Sequence, residues 1–170
     1  MNALTRFKRV LLILVMLVAC VGCDQTTKTL ARDHLQNRPV ISLFGDTLRL
    51  QYTENPGAFL SLGASLPQHW RGTVFTLGSA ALVASALLYA FLATRMRPLQ
   101  TVAIALICGG GLGNLLDRIR FDGLVTDFLN VGAGPVRTGI FNVADMALML
   151  GLLLFFVRRE PGEQTSAPDH

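Results

Sequence analysis

The chain has 170 residues, of which 51% are hydrophobic and 15% are charged, and its formal net charge is +4. This composition is too apolar for an ordinary soluble domain of this length, and the apolar residues occur in four blocks, so it indicates a membrane protein. The positive charges flank these blocks instead of forming one patch, and we therefore expect no nucleic-acid partner.

The first block begins at Val10, after Arg6, Lys8 and Arg9, and contains LVAC at residues 17 to 20. A basic start, an apolar run and that tetrapeptide are typical of the signal peptide of a lipoprotein precursor. Such a precursor has one apolar segment followed by a soluble domain, whereas three more apolar blocks follow here. We therefore interpret this block as a membrane helix that happens to contain a cysteine.

Each block reaches the roughly 20 residues that a spanning helix needs when a few flanking polar residues are included. The sequence predicts four transmembrane helices, at about 10–30, 72–94, 100–117 and 140–158. Lys and Arg precede the first helix, separate the second from the third and follow the fourth, which predicts that both termini are cytoplasmic. The predicted periplasmic loops are about 31–71 and 118–139. We expect one membrane-embedded domain over 1–159 and a disordered cytoplasmic tail over 160–170.

The first periplasmic loop contains two short runs with the composition of β-strands. They are PVISLF at 39–44 and TLRLQYT at 47–53, separated by the turn signal Gly45-Asp46. We expect a small sheet lying on the membrane, with Trp70 as an interfacial anchor before the second helix. A plain hairpin without a function is the alternative.

Two predicted helix ends on the periplasmic side carry the same N-x-x-D spacing. Asn114 and Asp117 close the third helix, after a glycine-rich stretch that favours close helix packing, and Asn142 and Asp145 open the fourth. Residues three apart lie on one helix face, so each pair is presented together.

Ionisable residues at membrane depth are costly and are functional candidates. The acidic candidates gather on the periplasmic side, and they are Asp24, Asp117, Asp122, Asp127 and Asp145. Most have a structural alternative: Asp24 can pair with Lys28, Asp117 with Arg118 or Arg120, and Asp122 reads as a turn residue before a glycine. Asp145 can complete a capping box opened by Asn142.

Asp127 is harder to explain structurally, because LVTDFLNV surrounds it with apolar residues and no basic neighbour. If the fold brings it to Asp145, the two carboxylates cannot both ionise easily, and one keeps a proton. Such a pair can activate a water and protonate a leaving group without a metal. A helix N-terminus favours the anion on Asp145, whereas an apolar loop favours the acid on Asp127.

Four blocks of the chain, in order, resemble the motifs of the lipoprotein signal peptidases, also called signal peptidase II, the aspartyl peptidases of the bacterial inner membrane. The blocks are DQTTK (24–28), ENPGAF (54–59), GGGLGNLLDRIRFDGLVTDFLN (109–130) and FNVAD (141–145). The resemblance runs from about Val10 to Val157. Two positions depart from the usual pattern: a single Ala58 precedes Phe59, and Thr126 replaces an apolar residue before Asp127, where its hydroxyl could add a hydrogen bond.

The resemblance implies that Asp127 and Asp145 are the catalytic dyad. It also implies that other residues shape or support the site: Asn55, Gly57, Asn114, Arg118, Asn142, Asp24 and Lys28. The implied fold has four membrane helices, a small periplasmic β-sheet and a short periplasmic helix. The implied reaction, at the periplasmic face of the inner membrane, cuts a prolipoprotein just before its diacylglyceryl-modified cysteine. It needs membrane lipid as a partner but no metal or organic cofactor, and a monomer is expected.

Three other functions are compatible with parts of the sequence. A non-catalytic binder of lipidated signal peptides would have the same fold, but the intact dyad argues against it. A small proton-coupled transporter would spread carboxylates through the bilayer, whereas these cluster at one side. A precursor lipoprotein would carry a fatty acid on Cys20.

Overall fold

The computed structural model of the chain describes residues 3–57, 68–94 and 96–157. Four helices and four strands follow one another in chain order. They are α1 (Ala3–Leu35), β1 (Ile41–Leu43), β2 (Leu48–Asn55), α2 (Gln68–Leu92), α3 (Pro98–Arg120), β3 (Val125–Ala133), β4 (Val136–Arg137) and α4 (Val143–Phe156).

Three of the helices contain segments long and apolar enough to cross a membrane: Arg6–Leu35, Gly72–Leu92 and Pro98–Arg120. All four predicted helices exist, but their bounds differ from the prediction. The first three extend beyond their apolar blocks, because flanking polar residues continue the helical hydrogen bonding. The fourth is shorter than predicted, with 14 residues, because Asn142 adopts an extended backbone and caps it.

α3 is the central helix and packs against α1, α2 and α4. The predicted close packing of its glycine-rich stretch is confirmed at two positions. A Cβ on Gly110 would collide with the backbone carbonyl of Ala144 in α4, and a Cβ on Gly113 would lie 2.6 Å from Oδ2 of Asp24 in α1. Glycine at both positions therefore allows α1 and α4 to approach the C-terminal half of α3 closely.

The strands form one antiparallel sheet in the order β1-β2-β3-β4. The predicted hairpin is confirmed as β1 and β2, with Leu43 opposite Leu48. The predicted periplasmic loop at 118–139 contains a strand that the sequence did not indicate, since Val125–Ala133 forms β3 and pairs with β2. This pairing places Asp127 opposite Thr53 and Val125 opposite Asn55. The described residues outside α1–α4 hold no separate short helix, and residues 58–67 and the predicted tail lie outside the described part.

The sheet is attached to the helices by a small apolar cluster of Ala31, Leu35 and Phe128. At the other end of the bundle, the guanidinium of Arg6 donates to the carbonyl of Phe91 at the end of α2. The sheet and the basic residues near the N-terminus therefore lie at opposite ends of α1.

Candidate active site

A cavity of about 490 Å³ lies where the sheet meets the ends of α3 and α4. Six of the nine predicted site residues line it: Asn55, Gly57, Asn114, Arg118, Asp127 and Asp145. The same wall carries apolar residues that sequence reasoning missed, among them Val125, Ile140, Phe141, Met146 and Met149. Met146 and Met149 are also 52% and 53% exposed on α4, so the apolar wall continues onto the outer surface of that helix.

Asp127 lies on β3, and only 2% of its surface is exposed. Its two carboxylate oxygens each accept one side-chain amide: Oδ2 from Asn55 at 2.8 Å and Oδ1 from Asn142 at 2.6 Å. Asn55 is itself held, because its Oδ1 accepts the backbone N–H of Gly57 at 2.9 Å. Gly57 has a φ of 95°, a backbone conformation that favours glycine.

Asp145 lies in the first turn of α4 and completes the capping box predicted from the sequence. The backbone N–H of Asp145 donates to Oδ1 of Asn142 at 3.0 Å, and the N–H of Asn142 donates to Oδ2 of Asp145 at 3.1 Å. The structural interpretation of Asp145 is therefore confirmed, and the same carboxylate also lines the cavity. Asp145 thus both completes the capping box of α4 and faces the cavity.

Asn114 and Asn142 connect the two carboxylates. Nδ2 of Asn114 donates to Oδ1 of Asp145 at 2.8 Å. Its Oδ1 accepts Nδ2 of Asn142 at 3.0 Å, and that same amide donates to Asp127. Both hydrogens of the Asn142 amide thus have acceptors, and its orientation is fixed.

Lys28, Asp24 and Asn142 do not line the cavity but lie behind it, fully buried. The predicted Asp24–Lys28 pair is confirmed, with Nζ 2.9 Å from Oδ2. Asp117 does not pair with Arg118 or Arg120, as one interpretation of the sequence suggested. It lies 3.3 Å from Lys28 instead, because both side chains point into the interface between α1 and α3.

The surroundings of Asp127 shift the pKa of its carboxyl group. Burial, opposed by the hydrogen bond that Asn55 donates and assisted by the charge of Asp145, raises the pKa of Asp127 to about 6. Asp127 therefore keeps its proton to a higher pH than an ordinary aspartate does. The pKa of Asp127 is shifted in the direction that the sequence predicted, although the cause is burial on a strand and not in a loop.

Three further positions complete the comparison with the sequence. Thr126 does add a hydrogen bond, since its hydroxyl accepts Nη1 of Arg32 at 2.7 Å. Asp122 lies in a turn with a φ of 50°, as predicted. Ala58 and Phe59 lie outside the described residues. Within the described ranges, no three His, Cys, Asp or Glu side chains converge as metal ligands would.

Sequence reasoning missed the role of Gln25 and weighed Asp117 only against its neighbours in the chain. Nε2 of Gln25 donates to Oδ1 of Asp117 at 3.0 Å and lies 3.2 Å from Oδ2 of Asp24. The spacing of Asn114 and Asp117, which places them on one face of α3, indicated that both contact the same neighbouring helix. The sequence did not show that this neighbour is α1.

The chain was compared with known proteins. The model of a family described as "Signal peptidase (SPase) II" matches residues 16–159. A lipoprotein signal peptidase from Moorella thermoacetica is 39% identical over 143 residues, which cover 84% of this chain and 87% of the relative. Another, from Syntrophus aciditrophicus, is 39% identical over 139 residues and covers 79% and 83%.

A solved structure of a bacterial membrane enzyme, obtained by the in meso method at 1.9 Å, has a TM-score of 0.72 with this chain. The match covers 84% of this chain and 88% of the solved chain at 24% identity, and it shows a common fold. The match to the family model extends over the four motifs and over every residue that surrounds the cavity. The chain belongs to the signal peptidase II family, aspartic-type membrane peptidases that remove signal peptides from prolipoproteins.

Proposed function

We propose that Asp127 and Asp145 are the catalytic dyad of this peptidase. The observation that carries the proposal is their convergence on one cavity from two separate elements, a buried strand and a helix N-terminus. The unequal environments favour one proton shared by the pair, with the acid on Asp127 and the anion on Asp145. Because the pair is coupled, the proton belongs to the dyad as a whole during the reaction.

In this mechanism the Asp145 carboxylate removes a proton from a water, and the water oxygen attacks the carbonyl carbon of the scissile peptide. Asp127 gives its proton to the carbonyl oxygen, which produces a neutral tetrahedral diol. On collapse, Asp145 gives its proton to the leaving nitrogen and the diol returns one to Asp127. Both carboxyl groups then have their starting protonation, and no covalent enzyme intermediate forms.

The two asparagines that join the carboxylates would keep them in register through these proton transfers. Asn142 and Asn55 each donate to Asp127, and Asn114 donates to Asp145. A charge-assisted hydrogen bond is roughly twice as strong as a neutral one, so these contacts stabilise the anionic form of each group. Gly57 and Arg118 complete the cavity wall, and Nε of Arg118 has no partner among the described residues.

We propose that the substrate is a prolipoprotein with a diacylglyceryl-modified cysteine, cut just before that residue. The apolar wall of the cavity supports this, because Met146 and Met149 lie both in the cavity and on the outer face of α4. Acyl chains could therefore lie along α4 in the bilayer while the scissile peptide enters the polar end of the cavity. Because the acyl chains already lie in the bilayer, their packing against these methionines, and not transfer out of water, would supply the lipid recognition.

We further propose four membrane spans, with both termini in the cytoplasm and the cavity at the periplasmic face of the inner membrane. The placement of the sheet and the basic N-terminal residues at opposite ends of α1 supports this orientation. α4 has 14 residues and is about 21 Å long, which is shorter than a bilayer core of about 30 Å, and we place its N-terminal end, with the cavity, below the bilayer surface. We also propose that residues 1–159 form one peptidase domain, that residues 160–170 are a cytoplasmic tail and that the protein is a monomer.

The test is cleavage of a purified diacylglyceryl-modified prolipoprotein, with the unmodified precursor in parallel. Wild type and Asp122→Asn are expected to cut the modified precursor, whereas folded Asp127→Asn and Asp145→Asn are expected to be inactive. Asp122 is a suitable control because it is an exposed aspartate in a turn on the same side of the protein. Full activity of either dyad variant would overturn the assignment, and equal cleavage of both precursors would overturn the lipid requirement.

A further inference from the structure

The residues immediately before Asp127 and Asp145 are held in the same way. The backbone N–H of Thr126 donates to Oδ2 of Asp117 at 3.0 Å, and the backbone N–H of Ala144 donates to Oδ1 of Asp24 at 2.9 Å. Each of the two dyad residues therefore follows a main-chain amide that is anchored on a buried carboxylate. Neither anchoring carboxylate lines the cavity.

The two anchoring carboxylates are joined to each other by two side chains of α1. Nζ of Lys28 lies 2.9 Å from Asp24 and 3.3 Å from Asp117, and Nε2 of Gln25 donates to both at 3.2 and 3.0 Å. The third donor of Lys28 goes to Oδ1 of Asn114 at 2.8 Å, and Asn114 donates to Asp145. One ammonium group thus contacts both anchors and the asparagine between the two catalytic elements.

A buried ion cluster contributes little net stability, since the cost of removing its charges from water offsets most of their attraction. What it does provide is geometry, because each hydrogen bond fixes one position of one partner. Lys28, Asp24 and Asp117 are all completely inaccessible. The cluster makes no contact that the reaction itself needs, but it meets β3 and α4 at the residues next to the dyad.

We propose that Asp117 is a positioning residue, which sets the location of Asp127 through the backbone amide of Thr126. Asp24 sets the location of Asp145 in the same way, through the backbone amide of Ala144. Lys28 couples Asp117 to Asp24. The inference rests on the proposed dyad. It adds that the distance between the two carboxyl groups is determined by buried side chains of α1 and α3, one layer behind the cavity. Misplacement of reacting groups by about 1 Å can cost about 100-fold in rate.

The test uses the full-length protein with Asp117→Asn, which keeps the side-chain shape and leaves Lys28 with one carboxylate, Asp24. Asp117→Ser is the second variant in case the first does not fold, and Asp122→Asn is the control. We expect kcat to fall by about 10- to 100-fold with KM changed less than threefold, because the cavity wall that binds substrate is intact.

The readout that separates positioning from general destabilisation is amide hydrogen exchange. In Asp117→Asn we expect exchange at Thr126 to accelerate about tenfold or more, with a clearly smaller acceleration at Ala144 transmitted through Lys28, whereas Asp24→Asn should have the reverse effect. Wild-type kcat in folded Asp117→Asn, or equal acceleration at both amides, would overturn the inference. Activity of the dyad variants would refute the proposed function alone, because the exchange pattern does not depend on which carboxyl groups react.

Discussion

Asn142 binds Asp127 through its side chain and Asp145 through its backbone. Its Nδ2 lies 2.6 Å from Oδ1 of Asp127, and its N–H donates to Oδ2 of Asp145 at 3.1 Å. The same residue is the N-cap of α4, with its Oδ1 accepting the N–H of Asp145. The capping motif that the sequence predicted for the start of a helix therefore also connects the two proposed catalytic groups through a single residue.

The capping role and the catalytic role of Asn142 are expected to separate in Asn142→Ser. Serine is about as good an N-cap as asparagine, so the contribution of the cap to thermal stability in detergent should be retained. The amide that binds Asp127 is lost, and a hydrogen bond to a charged group contributes about 1.5–3 kcal/mol. We therefore expect kcat/KM to fall about 10- to 100-fold. Wild-type activity would show that this amide is dispensable.

The pH dependence of cleavage should report the raised pKa of Asp127. Its pKa of about 6 lies above the ordinary value, so the group is protonated below about pH 6 and ionised above it. Since the proposed mechanism needs the proton on the dyad, kcat/KM of the free enzyme should decline as pH rises through this region.

Asn55→Ala tests the cause of that decline. Asn55 donates to Oδ2 of Asp127 at 2.8 Å, which stabilises the anion and lowers the pKa. Removing the donor should therefore raise the pKa and move the alkaline limb of the pH–rate profile to higher pH. Gln51→Ala, on the same strand, is the matched control and should leave the limb in place. A shift to lower pH would contradict the assignment of the limb to Asp127.

Lys28→Met should destabilise the protein strongly, because it leaves the buried carboxylates of Asp24 and Asp117 without their shared cation. Breaking a buried ion pair by removing one partner typically costs about 3–5 kcal/mol. Replacing a carboxylate as well, in Lys28→Met/Asp24→Asn, should restore part of this loss. Thermal unfolding of wild type, Lys28→Met and the double variant measures the loss and its recovery. A double variant that is less stable than Lys28→Met would contradict a charge-balance explanation.

Gly113→Ala should weaken the contact between α1 and α3. The added Cβ would lie 2.6 Å from Oδ2 of Asp24 and 3.2 Å from Cβ of Ala144, and overpacking of this kind costs about 1–3 kcal/mol. Gly78→Ala in α2 is the matched control, since a Cβ there meets nothing within 4 Å. The melting temperature should fall for Gly113→Ala and should stay the same or rise for Gly78→Ala. Equal effects would argue against close packing at Gly113.

The fold was predictable wherever the signal was local. Apolar blocks identified the helices, and β-type runs around Gly45-Asp46 identified the first hairpin. The strand that carries Asp127 was missed because its buried residues follow neither the two-residue period of a half-buried strand nor the period of a helix. Both of its faces are covered from Val125 to Phe128, and such a run reads as an irregular apolar segment. Its β-branched and aromatic residues were the available sign of a strand.

The sequence by itself determined the class of the molecule, its family motifs and the short-range pairs, namely the Asp24–Lys28 ion pair and the capping box of Asn142 and Asp145. These follow from helical spacing, which places residues three or four apart on one face. Only the tertiary structure decided that Asp117 turns to Lys28 and that β3 brings Asp127 to the cavity that Asp145 lines. Contacts between residues far apart in the chain depend on how helices and strands pack, and hydrophobic pattern alone leaves that packing open.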